Sequence, residues 1–148
     1  MTINEYLHIC RDKRIEAAKI REKYFVLRTK ATAPPGIDPD RVRHKSQSGR
    51  EDLIIKMIQV KEQADLAEIN YLRERQKLFD IINRLPLDPG TALYIRYILE
   101  KKNDDEALEA WKYFSCGKEI CRKTFYRHLK DGKALLKEIL DKDGVKIE

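Results

Sequence analysis

The chain reads as all-α: a long antiparallel helical hairpin followed by a three-helix domain of the helix-turn-helix kind. Three observations lead there. Two long stretches, Thr2 to about Lys30 and about Arg50 to Leu85, repeat apolar residues at three- and four-residue steps without a proline or glycine. Between them, Ala31 to Gly49 collects three of the five prolines and two of the six glycines. Near the end, Trp111 to His128 (WKYFSCGKEICRKTFYRH) spaces its apolar residues as two short helices joined by a turn would.

At 148 residues, the chain suits one domain or a small domain with a long appendage. Charged residues make up 38% and hydrophobic ones 42%, which is rich in charge for a globule and ordinary for long solvated helices. The expected division is a hairpin over residues 1–86, with a loop at 31–49, and a helix-turn-helix domain over 87–148.

The first helix takes its seam from Ile3, Tyr6, Cys10, Lys13, Ala17, Ile20, Tyr24 and Leu27, with Lys13 its one polar break. Thr2 followed three residues later by Glu5 forms a capping box. The second helix carries Leu53, Met57, Val60, Ala64, Ala67, Tyr71, Glu74, Leu78, Ile81 and Leu85. Its two alanines let a neighbouring helix approach closely. Two seamed helices joined by a loop fold back on each other. A hairpin of that shape leaves much surface open, which predicts a homodimer or higher oligomer.

Pro86-Leu87-Asp88-Pro89-Gly90 ends the second helix, with Asp88 as the expected cap of the third and Pro89 in its first turn. The third helix, about Pro89 to Lys101, carries Leu93, Ile95, Tyr97 and Ile98. The fourth is capped by Asn103 or Asp104 and carries Ala107, Leu108, Trp111 and Phe114. The last, about Cys121 to Asp141, lines up Phe125, Leu129, Gly132, Leu136 and Leu140. A glycine inside a helix costs about 1 kcal/mol, so Gly132 predicts a tight packing point.

In the helix-turn-helix reading, Phe114, Ser115, Ile120 and Phe125 occupy the buried and small positions, and Phe114, Ile120, Phe125 and Leu129 hold the motif. Cys121, Arg122, Lys123, Tyr126, Arg127 and Lys130 then face outward. Arginine forks guanine, and lysine and tyrosine meet phosphates, so Arg122, Lys123, Tyr126, Arg127 and Lys130 are the candidate DNA contacts. The formal net charge of +6 and pI near 9.2 agree with an anionic partner. Between Lys118 and Lys137, Glu119 and Asp131 are the only acids. A second basic patch, Arg41, Arg43, Lys45 and Arg50, has no acid within it. The competing view of such a patch is that it only keeps a helical protein soluble. Two residues depart from the motif. Glu119 stands where the turn prefers Gly or Asn, with Gly117 two residues earlier, and His128 holds a place that is normally aliphatic.

Cys10, Cys116 and Cys121 lack a disulfide-framework spacing and predict reduced thiols in the cytoplasm. Cys116, Cys121 and His128 have no zinc-site spacing and no fourth ligand nearby, so no metal or other cofactor is expected. His8 and His44 have no catalytic partner at a telling distance, and no Gly-rich phosphate loop is present, so an enzyme is the least expected class. No apolar run approaches the roughly 20 residues of a membrane span.

Thr32-Ala33-Pro34 and Asp40-Arg41-Val42 in the loop, Arg96-Tyr97-Ile98, Trp111 and Thr124-Phe125-Tyr126-Arg127 follow one another in an order that resembles a known family. The chain looks like the small phage and prophage proteins whose tails are similar to bacterial sigma factor region 4, in the neighbourhood of the ArpU-type phage transcriptional regulators. That resemblance covers nearly the whole chain. It implies binding of double-stranded DNA in control of late phage genes, inside a bacterial host, by a tail that can also contact RNA polymerase. It carries onto Trp111 as core and onto Arg122, Lys123, Tyr126 and Arg127 as the DNA-facing set. This chain departs from the pattern by a longer stretch between Ile98 and Trp111, and by Cys121 where a capping serine is usual. Two other readings stay open here: a small terminase-like packaging subunit, and a protein-interaction module that binds no DNA.

Overall fold

A computed structural model describes residues 1–32 and 47–148. Arg41, Arg43 and Lys45 of the second basic patch lie outside the described residues. The chain is all-α, with two long helices packed antiparallel and three shorter ones forming a small bundle. None of the described helices is long and apolar enough to cross a membrane.

Helix α1 (Ile3–Thr32) starts at the expected capping box. The Glu5 amide donates to Thr2 Oγ1 at 3.2 Å, and the Thr2 amide donates to Glu5 Oε2 at 2.8 Å. Helix α2 (Gln47–Ile82) begins and ends three residues before the expected bounds. Its end tightens through Arg84 N to Ile81 O and Leu85 N to Ile82 O, both 3.0 Å, which turns the chain ahead of Pro86.

The chain divides into two compact units, and the division falls within the long helices and not at residue 86. One unit is Lys13–Tyr71; the other combines Met1–Asp12 with Leu72–Glu148. In the first, Ala17 and Ala64 are buried, as the small residues of the two seams require. Arg21 reaches across to Glu68 at 2.7 Å.

The second unit holds most of the core. The ends of the long helices supply Leu7, Cys10, Leu78, Ile82 and Leu85, which is why those ends belong to it. Leu7 is wholly buried although it stands off the α1 seam that the sequence spacing defines. Helix α3 (Leu87–Leu93) is preceded at its cap position by Pro86, and no side chain caps it; Asp88 lies inside the first turn. A carboxylate there still favours the positive end of the helix. From Tyr94 to Ile98 the helix widens into a π-helical turn, and the Leu99 amide reaches back to Tyr94 O at 3.0 Å. Glu100, at φ 56°, ends it. Helices α4 (Asp104–Phe114) and α5 (Arg122–Lys142) complete the bundle.

Gly132 on α5 is the tight point that its helix-interior position suggests. A Cβ there would stand 3.0 Å from Leu93 Cδ1 and Cγ and 3.0 Å from the Pro89 carbonyl oxygen. Leucine tips can yield, but the carbonyl belongs to the α3 backbone. Gly132→Ala should therefore destabilise by about 1–3 kcal/mol of overpacking, offset by about 1 kcal/mol of helix propensity. Gly49→Ala, with nothing within 4 Å, should keep only the propensity gain. Thermal unfolding of both variants checks this, and a Gly132→Ala protein stabilised by the full propensity gain of about 1 kcal/mol would refute the close packing.

Candidate nucleic-acid interface

The last helix is anchored along one side. Phe125, Leu129, Gly132, Leu136 and Leu140 are buried at steps of three and four. Trp111 of α4 packs against this stripe, its ring edge-on to Phe125 at 6.2 Å between centroids. His128 lies flat on the same indole, centroids 5.3 Å apart and planes 3° from parallel. That stacking explains how a histidine fills a place that is normally aliphatic.

The turn between α4 and α5 reverses at Cys116 (φ 57°) and Gly117 (φ 94°), two residues before the position where the motif's glycine is expected. The Gly117 amide donates to Lys112 O at 2.8 Å, closing α4 in the manner of a Schellman cap. Ser115 Oγ donates to Lys118 O at 2.9 Å, and Lys112 pairs with Glu119 at 3.0 Å. Ile120 is half-buried. Phe114 is a correction. It is 45% exposed, because Trp111 and Phe125 fill the space between the helices and leave it edge-on to Tyr94 at 5.6 Å. Cys121 takes the cap position of α5 without a hydrogen bond to the backbone amides. Its Sγ lies 3.1 Å from Thr124 Oγ1, and that bond leads the effects holding its thiol below the ordinary range.

The five candidate DNA residues separate into two groups. Lys123, Arg127 and Lys130 are exposed on the side away from the buried stripe, and among the described residues they make no ion pair or hydrogen bond. Arg122 and Tyr126, one turn apart, instead face the start of α4. The Tyr126 hydroxyl donates to Asp104 Oδ1 at 2.7 Å, and Arg122 Nε stands 3.3 Å from Asp104 Oδ2. Arg122 also comes within 4.0 Å of Asp105, and its side chain remains 61% exposed. These two residues are therefore partly engaged by acids and do not face outward as freely as the helix spacing predicts. Arg50 of the second basic patch is exposed near the start of α2.

Asp104 is held from a third side. Arg96 donates to its Oδ1 at 3.0 Å, and the other guanidinium nitrogen donates to the carbonyls of Lys101 and Lys102 at 3.0 and 2.6 Å. The Arg96 guanidinium also covers the Phe125 ring at 5.3 Å. Asn103 caps α4 by accepting from the Asp105 amide at 2.9 Å, as its place in the sequence suggests. The sequence marks Asp104 only as an alternative cap, and Arg96 only as part of a short word. No group of three or more His, Cys, Asp or Glu among the described residues could hold a metal ion.

The Tyr126 hydrogen bond, followed by that of Arg96, holds the Asp104 carboxyl below the ordinary carboxylate range. The same bond raises the Tyr126 phenol. Because the folded carboxyl is the stronger acid, this cluster stabilises the fold above the ordinary carboxylate range. That contribution is lost as pH falls through the depressed value. Tyr126→Phe should bring the Asp104 titration, followed by carboxyl NMR, back toward its ordinary position. An unchanged titration would exclude the hydrogen bond as its main cause. Arg96→Ala should destabilise the fold by about 2 kcal/mol or more in chemical denaturation, since it strands the Lys101 and Lys102 carbonyls and removes one partner of the Asp104 carboxylate.

No family model matches this chain, and neither a curated protein nor a solved structure matches it.

Proposed function

We propose that this chain is a DNA-binding transcription regulator that uses α5 as its recognition helix. The observation that carries the reading is the row of Lys123, Arg127 and Lys130, exposed and unpaired among the described residues, on a helix whose opposite side is anchored in the core. Unpaired cations on one side of a rigid helix release counterions when they meet phosphates. The helix, turn and helix from Asp104 to Lys142 would let the first turns of α5 enter a major groove. Control of late phage genes, contact with RNA polymerase and a bacterial cytoplasm enter this reading through the resemblance.

Self-association of the hairpin belongs to the same proposal. In the Lys13–Tyr71 unit, Ile55, Ile58 and Leu66 of α2 are at least half exposed. Apolar side chains at that density favour a further helical neighbour. Light scattering should give a small oligomer; a large ring would favour the packaging reading instead.

The DNA assignment is tested with a labelled random duplex. Lys123→Ala combined with Arg127→Ala should weaken binding while leaving thermal stability nearly unchanged. It should also flatten the log-affinity against log-salt slope by about 0.9 for each phosphate no longer neutralised. Undiminished binding by the double variant at moderate salt would show that this side of α5 is the wrong one. Absence of retardation by the parent protein at low salt would favour a protein-interaction module.

A further inference from the structure

Arg122 differs from its basic neighbours. Lys123, Arg127 and Lys130 offer full, unpaired charges among the described residues, whereas Arg122 already has the Asp104 carboxylate 3.3 Å from its Nε. That carboxylate cannot follow the arginine. Its other oxygen is fixed by the Tyr126 hydroxyl at 2.7 Å and by Arg96 at 3.0 Å, and Arg96 is itself tied to two backbone carbonyls. The Asp104 side chain is 23% exposed and that of Arg122 61%, so the acid lies below and the guanidinium head projects.

We infer that Asp104 is a positioning residue that aims Arg122 at guanine in the major groove. The inference rests on the DNA-binding reading and names the base that reading left open. A guanidinium whose Nε faces the Asp104 carboxylate can present its terminal amino groups as a fork, one of them, Nη2, lying 4.0 Å from the exposed Asp105 carboxylate, and guanine presents two matching acceptors, O6 and N7. Adenine places an amino donor where O6 would be, and cytosine does likewise, so both repel the fork. A phosphate is bound best by an uncompensated cation, and a carboxylate beside the arginine weakens that contact. The neutral edge of guanine is less affected. Arg122 is the first residue of α5, at the end of a recognition helix that reaches base edges. The unpaired cations then supply phosphate affinity, and the Arg122–Asp104 pair supplies the choice of base.

The test uses the full chain. A randomised duplex library is bound at moderate salt, the retained fraction is sequenced, and the best site is remade with 7-deazaguanine, which lacks the N7 acceptor, at the selected guanine. The parent protein should enrich guanine at one position and lose about tenfold to a hundredfold in affinity on that replacement. Arg122→Ala should bind both sites equally, and its salt slope should change less than that of Lys123→Ala. Asp104→Asn should lose most of the guanine preference while keeping its affinity for random duplex, with circular dichroism verifying the fold. Tyr126→Phe, which leaves the Arg122 pair in place, should retain part of the preference if Asp104→Asn proves too unstable to assay. Retention of duplex without guanine enrichment, or an equal 7-deazaguanine penalty in the parent and Arg122→Ala, overturns the inference alone. No retention of any duplex by the parent overturns the DNA reading beneath it.

Discussion

The guanidinium of Arg96 ties together several separate parts of the C-terminal bundle. Its side chain is only 14% exposed, yet it carries a charge. The cost of removing that charge from water is offset by a carboxylate, two carbonyls and the faces of Phe125 and Tyr126. A lysine could not take its place, because the ties depend on a planar fork reaching in several directions at once. The arrangement also satisfies backbone carbonyls between α3 and α4 that the helices themselves leave unbonded. The start of α4, the start of α5 and the link before α4 are thus fixed by one side chain.

Much of the chain is legible because helices write their packing into sequence at 3.6 residues per turn. The seams of α1 and α2, the Thr2–Glu5 cap, the Asn103 cap, Trp111 as core and the stripe from Phe125 to Leu140 all rest on spacing within one element. Contacts between elements are much less legible. A tally of charge from Lys118 to Lys137 finds a basic stretch, but Asp104 and Asp105 lie outside that window and fold against Arg122. Spacing alone places Phe114 in the core, and it cannot show that Trp111 and Phe125 fill that space first. A boundary at residue 86 follows the proline-rich break, whereas the ends of the long helices contribute their side chains to the C-terminal unit.

The departures from the helix-turn-helix pattern have local physical answers. His128 substitutes a flat ring for an aliphatic side chain and gains a stacking partner in Trp111. The left-handed positions of the turn fall at Cys116 and Gly117, so Glu119 can avoid left-handed space and pair with Lys112. Cys121 holds the cap position of α5 without a side-chain cap bond, and its thiol pairs with the Thr124 hydroxyl one turn on.

The π-helical turn at Tyr94–Ile98 has a consequence for the family of sequences that could share this fold. A π turn accommodates one more residue than an α turn over a similar rise, so this stretch behaves as an inserted residue absorbed without a loop. Every side chain after it is rotated relative to Leu87–Leu93, and Arg96 lies within the shifted stretch. A relative with a regular α-helix here would be one residue shorter and would need a different residue to reach the start of α4. Alignments of such relatives should therefore place their gap inside this helix, where gaps are ordinarily forbidden, and length at that point becomes a marker for the arginine's role.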